Sequence, residues 1–340
     1  MVATPSFWWT KRDWRASLLW PLAAAYGAVA AHRLRNAPRE DVGLPVICVG
    51  NFTVGGSGKT PVTAALAQAA REKGRTPGIL SRGHGGSASG PRLVNLAVDT
   101  ADEVGDEPLL LANSAPVAVT ADRAAGARLL AEAGCDLVIM DDGFQSARIR
   151  IHHAIIVVDA TYALGNGCVL PAGPLRAPVD VQMRYASALL VMGEGHAAGD
   201  VVQMASAAGL PVYTGRVQPR QQLAGRRMLA FAGIGHPQKF FDTIRAAGGE
   251  VAEARAFSDH HVFSDAELDV LVADARRADL DLITTAKDAV RIGRQKFEAL
   301  LPGRSVVLDI DAVFDAPETA AKIIDAALTS AAAGIKGVTF

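Results

Sequence analysis

A short glycine-rich stretch contains residues that could act on phosphate. Gly55-Gly56-Ser57-Gly58-Lys59-Thr60 lies between an apolar run of strand character and a stretch of helical character. The backbone N–H groups of such a loop, with the N-terminus of the following helix, can bind phosphate oxygens. Lys59 can neutralise the β and γ phosphates, and the Thr60 hydroxyl can hold Mg²⁺. A helix-capping glycine turn is the alternative. The order of strand, loop and helix favours a phosphate loop, although Thr53 replaces the first glycine of the strict GxxxxGK[ST] pattern.

Two adjacent carboxylates form the second candidate site. Asp141-Asp142 follows the apolar run Leu137–Met140 and continues as Gly143-Phe144-Gln145. A carboxylate at the carboxyl end of a parallel strand lies where ligands bind in such sheets, and it can hold Mg²⁺ directly or through water. The alternative is an aspartate pair that caps a helix. Together with the phosphate loop, the metal role is favoured, and either Asp141 or Asp142 could supply the ligand.

Two polar segments carry weaker signals. Gly105-Asp106-Glu107-Pro108 precedes a leucine run, where Asp106 could simply cap a helix. Asp259-His260-His261 lies before Ser264–Glu267, which has the pattern of a capping box, and paired histidines on a polar loop are commonly solvated. No zinc-ligand spacing accompanies the eight histidines. Taken alone, these residues indicate no specific chemistry.

The elements that must position these residues alternate between strand and helix. Helical stretches such as Thr60–Gly74 separate the predicted strands, which are short apolar runs. These runs are 46–49, 78–81, 116–120, 137–140, 155–158 and 188–192. Such runs are typical of a parallel sheet that is covered on both faces. The pattern therefore predicts an α/β fold with a mostly parallel sheet covered by helices.

A second alternation follows Gly225. It predicts strands at 228–232, 251–257, 282–285 and 306–308, with helices near 237–247, from Ser264, and up to Leu300. We place the boundary between Val212 and Gly225. The predicted organisation is an N-terminal segment (1–40), a nucleotide-binding core (41–215) and a smaller C-terminal α/β domain (216–340), with the end of the chain able to return to the core.

Length and composition limit the function classes. The 340 residues correspond to roughly two domains. Half of them are hydrophobic and the net charge is −1, which excludes a disordered chain and a global basic field for nucleic acid. The three cysteines, Cys48, Cys135 and Cys168, are too few and too far apart for a disulfide framework and fit a reducing compartment.

The N-terminal 40 residues differ from the rest of the chain. They contain all four tryptophans and carry a net charge of +4, with basic residues on both sides of the uncharged run Ala16–Ala31. A 16-residue helix is about 24 Å long, which is short of the ~30 Å hydrocarbon core. Tryptophan, lysine and arginine favour an anionic membrane surface, so an interfacial helix is predicted. A spanning helix, a signal peptide and a helix packed into the core are the alternatives.

The chain resembles the tetraacyldisaccharide 4′-kinases of lipid A biosynthesis. The resemblance covers most of the chain and rests on seven motifs in order. They are Val49-Gly50-Asn51 with Gly55–Pro61, Ser81-Arg82-Gly83, Val104–Pro108, Asp141–Gln145, Leu170–Arg176, Phe257 with Asp259-His260, and Thr284-Thr285 with Lys287-Asp288.

The resemblance implies a function and a location. The function is ATP-dependent phosphorylation of the 4′-hydroxyl of a tetraacyldisaccharide 1-phosphate, the lipid A precursor, at the cytoplasmic face of the bacterial inner membrane. It also implies a P-loop NTPase-like core, a smaller C-terminal domain and a membrane-interface helix that is peripheral or monotopic. ATP and Mg²⁺ are the implied cofactors. We expect no nucleic acid and infer no obligate protein partner.

The resemblance also implies roles for individual residues. Lys59 and Thr60 would serve the nucleotide and Mg²⁺, and Arg176 would close over the phosphates. Asp106 would accept the proton of the 4′-hydroxyl, with His260 from the second domain polarising or orienting it. His260 is preferred over His261 because the family pattern is Asp-His followed by a variable residue.

Three positions depart from the family pattern, and two other functions remain as alternatives. His84 stands where the family usually has Tyr, Ala177 where it has Glu, and Ser146 where His or Asn is common. A membrane-associated regulatory P-loop ATPase is one alternative, although many such switches carry a lysine at the position of Val54. A soluble small-molecule kinase whose tryptophans pack a core is the other.

Overall fold

A computed structural model describes residues 5–11, 13–146 and 148–334. Arg12, which was counted in the N-terminal charge, lies outside the described residues. The predicted α/β class is confirmed, because helices cover both faces of a mostly parallel sheet. The strands, in chain order, are β1 (Val46–Gly50), β2 (Pro77–Ser81), β3 (Arg92–Leu93), β4 (Val117–Val119), β5 (Leu137–Asp141), β6 (His153–Asp159), β7 (Ala188–Met192), β8 (Val212–Pro219), β9 (Arg227–Ala232), β10 (Glu250–Ala256), β11 (Asp281–Thr285), β12 (Ser305–Leu308) and β13 (Ile310–Phe314).

The helices follow the predicted alternation. A short 3₁₀ helix, Ser6–Trp9, precedes α1. The α-helices are α1 (Trp14–Asn36), α2 (Lys59–Glu72), α3 (Ala101–Val104), α4 (Asp106–Leu111), α5 (Arg123–Glu132), α6 (Val179–Met183), α7 (Gly199–Ala207), α8 (Pro237–Ala246), α9 (Asp265–Arg277), α10 (Ala286–Ile292), α11 (Arg294–Leu300) and α12 (Thr319–Ala332). The single helix expected to run up to Leu300 is wrong, because Gly293 adopts a φ of +90° and separates α10 from α11.

The larger sheet places the two candidate phosphate-site motifs side by side. Its order is β13-β8-β7-β6-β1-β5-β2-β4-β3, parallel except for β3 and β13. β1 pairs with β5 so that Val49 lies opposite Asp141. The phosphate loop after β1 and the aspartates after β5 therefore leave the same edge of the sheet, where ligands bind in parallel α/β folds.

The central strand is buried on both faces. Along β1, Cys48 packs on one face in a cluster with Leu34 of α1, and Ile47 packs on the other in a cluster with Leu66 of α2. Side chains alternate along a strand, so both faces need apolar residues when helices cover both. This explains why β1 reads as an uninterrupted apolar run.

The smaller sheet has the order β10-β9-β11-β12, and all its pairings are parallel. Its faces are covered by α8 on one side and by α9 and α11 on the other. The capping box predicted at the start of α9 is confirmed, because the Ser264 hydroxyl accepts the Glu267 N–H while the Glu267 carboxylate accepts the Ser264 N–H at 2.8 Å.

The chain crosses between the two sheets twice. It leaves after β8 and returns through β13, which pairs antiparallel with β8. The two crossing segments bond to each other, since the Arg220 N–H donates to Asp309 O at 3.0 Å. The last helix, α12, then packs Ile323 and Ile324 into the core of the larger sheet against α2. The smaller sheet is therefore drawn from residues 227–308.

The return of α12 yields a stability prediction. Ile323→Ala removes a fully buried side chain from the core of the larger sheet, so we expect the free energy of unfolding to fall by about 2–5 kcal/mol. Lys322→Ala is the control. The Lys322 side chain is 60% exposed and pairs with Glu318, so its loss should change stability by less than ~0.5 kcal/mol. Urea unfolding measures both. An Ile323→Ala protein as stable as the wild type would show that α12 is not part of this core.

Candidate active site

The glycine-rich loop takes the conformation that a phosphate cradle needs. Gly55 and Gly58 have φ values of +112° and +85°, and a Cβ at either position would meet no atom within 4 Å. Gly58 is the N-cap of α2, so the free N–H groups of the first helical turn point toward the loop. The Ser57 hydroxyl is buried and bonds to no partner within the described residues. The loop thus presents unused donors around open space.

Lys59 is buried at the start of α2 and faces carboxylates. Its Nζ lies 3.8 Å from Asp142 Oδ1. Burial lowers the pKa of Lys59, while the charges of Asp142, Asp141 and Glu107 oppose that effect. A buried cation among carboxylates is poised to exchange one partner for a phosphate oxygen.

The two adjacent aspartates differ in their surroundings. Both oxygens of Asp142 are engaged by Arg176, at 2.7 Å to Nη1 and 2.9 Å to Nη2. Burial alone would raise the pKa of Asp142, but Lys59 and Arg176 outweigh it and lower the pKa to about 2. Asp141 accepts the Thr63 hydroxyl at 3.0 Å, and burial together with the negative Glu107 raises its pKa to about 7. Of the two carboxylates, Asp141 is the one whose charge is less compensated.

Arg176 lies at the loop, as its predicted role requires. Its Nε donates to Thr53 O at 3.0 Å and its Nη1 to Gln145 Oε1 at 3.2 Å. The structure therefore brings Arg176 together with Asp142 and Lys59, and Gln145 of the same motif supports the guanidinium.

Asp106 is the first residue of α4 and is buried. Its position depends on Gly105, which has a φ of +91° and whose Cβ would lie 2.8 Å from His84 O. Asp106 Oδ1 accepts the backbone N–H of Glu107 at 2.9 Å. Burial would raise the pKa of Asp106, but Lys287 and Arg291 lower it below its ordinary value. The carboxylate is therefore ionised and confined.

His260 meets Asp106 from the other side of the domain junction. It has a φ of +58°, its N–H donates to Gly233 O at 3.0 Å, and its Nδ1 lies 3.6 Å from Asp106 Oδ2. His261 points elsewhere, with Nε2 3.0 Å from Glu267 Oε1 and its ring stacked on Phe257. The structure thus places His260, and not its neighbour, beside Asp106.

Sequence reasoning assigned no role to four charged residues at this site, which are Glu107, Lys287, Arg291 and Arg123. Arg291 pairs with Asp106, and Lys287 pairs with Glu107. Lys287 and Arg291 are four residues apart, so they share one face of α10, and that spacing is the signal that could have revealed them. Arg123 of α5 is the fourth. It is buried, and its Nη1 bonds to nothing in the described part of the chain.

The N-terminal helix docks on the larger sheet by one face only. Ala23, Gly27 and Ala31 are buried, and a Cβ on Gly27 would lie 3.5 Å from Pro178. The same helix exposes six large apolar side chains, which are Trp14, Leu18, Trp20, Leu22, Tyr26 and Val29. No helix in the described residues is long and apolar enough to span a membrane.

The four tryptophans do not share one environment. Trp8 is buried and donates its indole N–H to Pro171 O at 3.0 Å. Trp9 packs against Tyr162 and His236, with ring centroids 5.1 and 5.8 Å away. Trp8 therefore packs in the interior, and of the four tryptophans only Trp14 and Trp20 are largely exposed.

Comparison with known proteins decides the family. The model of the tetraacyldisaccharide-1-P 4′-kinase family (LpxK) matches residues 15–329. The chain belongs to this family. It is therefore a lipid kinase of lipid A biosynthesis, as the seven motifs indicated, and the regulatory P-loop ATPase is not favoured.

Two relatives and one solved structure support the assignment. The tetraacyldisaccharide 4′-kinase of Mesorhizobium japonicum is 55% identical over 327 residues, which cover 95% of this chain and 96% of that protein. The Agrobacterium fabrum enzyme is 48% identical, covering 96% of this chain and 94% of the relative. The crystal structure of LpxK from Aquifex aeolicus in complex with ATP superposes with a TM-score of 0.73 at 27% identity, covering 93% of this chain and 99% of that one.

Proposed function

We propose that this kinase transfers the γ-phosphate of ATP to the 4′-hydroxyl of a tetraacyldisaccharide 1-phosphate at the junction between its two sheets. One observation carries the residue assignment. The phosphate loop and a buried carboxylate–histidine pair, Asp106 with His260, lie at the same junction. Lys59 of the loop interacts electrostatically with Glu107, the neighbour of Asp106.

The loop fits the phosphates of ATP. Open space beside Gly55 and Gly58, the unused Ser57 hydroxyl and the N-terminus of α2 together present donors to phosphate oxygens. In this proposal the Lys59 ammonium leaves Asp142 and pairs with the β and γ phosphates. Arg176, now held by Asp142, closes over the same phosphates.

The residues also fit Mg²⁺. Thr60 supplies a hydroxyl, and Asp141 supplies the carboxylate, because the oxygens of Asp142 are engaged by Arg176. Among the described residues no cluster of three or more His, Cys, Asp or Glu could hold a metal, so these two side chains would act together with phosphate oxygens. A bound Mg²⁺ would neutralise charge on the phosphates during transfer. Before the nucleotide binds, Asp142 would hold Arg176 and Lys59 beside the loop.

Asp106 is the proposed base. The 4′-hydroxyl oxygen attacks the γ-phosphorus in line, its proton passes to Asp106, and ADP leaves. A carboxylate with a lowered pKa is fully ionised at neutral pH, so it is ready to accept the proton as the new P–O bond forms. His260 contacts the same carboxylate and is proposed to orient it toward the hydroxyl.

We further propose that α1 places the site at the cytoplasmic face of the inner membrane. Its exposed Trp14, Leu18, Trp20 and Leu22 form an apolar surface that suits the headgroup region. Basic residues in the last turn, Arg33 and Arg35, would face anionic lipid. In this arrangement the protein lies on the membrane, where its lipid substrate is located.

The first prediction tests transfer itself. The wild-type protein should move labelled phosphate from ATP to a lipid A disaccharide precursor in detergent micelles, detected by thin-layer chromatography. Lys59→Met should reduce kcat on the order of 10²-fold or more, because a preorganised charge on the phosphoryl group is lost. Lys73→Met is the control, since Lys73 lies just beyond α2 and pairs with Asp325 at the surface. No transfer by the wild type, or near-normal transfer by Lys59→Met, would contradict the proposal.

The second prediction treats Asp106 and His260 as one unit. Asp106→Asn should lower kcat on the order of 10²-fold or more, and adding His260→Ala should cost little further, because groups that act together are non-additive. His261→Ala is the matched control and should keep near-normal kcat. Losses that simply multiply in the double variant would show that His260 acts separately.

The third prediction concerns α1. Trp20→Ser with Leu22→Ser removes exposed apolar surface, so sedimentation with anionic vesicles should weaken about tenfold or more. The apparent KM for micellar lipid should rise while the KM for ATP stays unchanged. High salt should weaken binding of the wild type only in part. Val270→Ser, an exposed change on α9, is the control. Full sedimentation of the α1 variant would exclude the interfacial role.

A further inference from the structure

One arginine joins the two domains at the proposed base. Arg291 is nearly buried on α10, and its Nε donates to Asp106 Oδ2 at 3.0 Å. Its Nη2 donates to the same oxygen and lies 3.3 Å from His260 Nδ1. Its Nη1 donates to Gly233 O at 2.7 Å and to Asp288 Oδ1 at 2.9 Å. Every nitrogen of the guanidinium thus has a partner.

The same contacts fix His260. Gly233 O accepts both Arg291 Nη1 and the backbone N–H of His260. Gly233 N–H donates to Asp288, which is buried and also receives the Thr285 hydroxyl. Arg291 therefore belongs to a closed hydrogen-bonded network that fixes the position of the loop carrying His260. A guanidinium with a planar fork of donors can hold several acceptors in one geometry, which a lysine cannot.

The contacts also select which oxygen of Asp106 is available. Oδ2 is occupied by Arg291, whereas Oδ1 receives only the Glu107 N–H in the described structure. A carboxylate oxygen has two acceptor positions, so Oδ1 keeps one for a hydroxyl. The arginine thereby turns one defined lone pair toward the substrate side.

We propose that Arg291 is a positioning residue that orients Asp106 and holds His260 in register with it. This inference rests on the proposed role of Asp106 as base. It assigns α10 of the smaller domain to the reaction, because the base is aligned only when α10 packs on α4. Lys287 reinforces the contact through its ion pair with Glu107.

Several charged groups face Asp106 from the surrounding elements. They are Lys287, Asp288 and Arg291 on α10, His260 on the loop before α9, and Glu107 on its own helix, which in turn faces Lys59 of α2. Because the cations of α10 outweigh burial, removing Arg291 should raise the pKa of Asp106. The base must be ionised to act. The acid limb of the pH–activity profile should therefore lie at higher pH in the variant than in the wild type.

The experiment compares Arg291→Gln and Arg291→Lys with Arg294→Gln. Arg294 is an exposed residue of α11 that pairs with Glu298 and Asp309, and its loss should leave activity unchanged. Arg291→Gln should lower kcat roughly 10²-fold with the KM for ATP changed by less than about threefold, since the phosphate loop is intact. Its acid limb in kcat/KM should move to higher pH. Arg291→Lys should restore the acid limb but not kcat.

The outcomes distinguish the role of Arg291 from the proposed role of Asp106 as base. Wild-type kcat in Arg291→Gln, or a raised KM for ATP at unchanged kcat, would overturn the positioning role. Thermal unfolding is followed in parallel, and if Arg291→Gln fails to fold, Arg291→Lys decides: a lowered kcat supports the role and a normal kcat overturns it. Asp106→Asn tests the base itself. An inactive Asp106→Asn beside a fully active Arg291→Gln refutes only this inference, whereas an active Asp106→Asn refutes both.

Discussion

An alternating row of partly buried charges runs from the glycine-rich loop to the smaller sheet, and the rest of the site depends on it. Arg176 pairs with Asp142, Asp142 faces Lys59, Lys59 faces Glu107, and Glu107 pairs with Lys287. Removing one member would leave its neighbour partly desolvated and without its charge partner. The row therefore links the glycine-rich loop to the second domain.

The fold supplies this row by placing strand ends and helix starts together. β1 lies between β5 and β6, so the phosphate loop and Asp141 leave neighbouring strands at one edge. Gly105 bends the chain between α3 and α4 so that Asp106 faces α10. Two crossing segments, bonded through Arg220 and Asp309, connect the smaller sheet to the larger one. The two sheets' helices α10 and α4 then pack on each other at this junction. In the proposed function, a site across this junction would depend on the packing of both domains.

Helix α1 combines buried small residues with exposed large apolar ones. Small residues such as Ala23 and Gly27 allow the helix to dock closely on the core, while Trp14 and Trp20 remain exposed. A helix attached in this way exposes an apolar surface. Trp8, whose indole N–H donates to Pro171 O, attaches the residues before α1 to the same part of the protein.

The sequence by itself determined the fold class and the family, and it singled out the glycine-rich loop and the two aspartates, because these depend on local patterns. Apolar runs mark strands that are buried on both faces, and Gly58-Lys59-Thr60 has one geometry at a strand-to-helix turn. Only the tertiary structure decided the partners of Asp106, since Arg291 lies 185 residues away along the chain. The same holds for β13 and α12, which return to the larger sheet, and for Trp8, whose burial depends on Pro171. Long-range packing sets these contacts, and local spacing shows only that Lys287 and Arg291 share one face of α10.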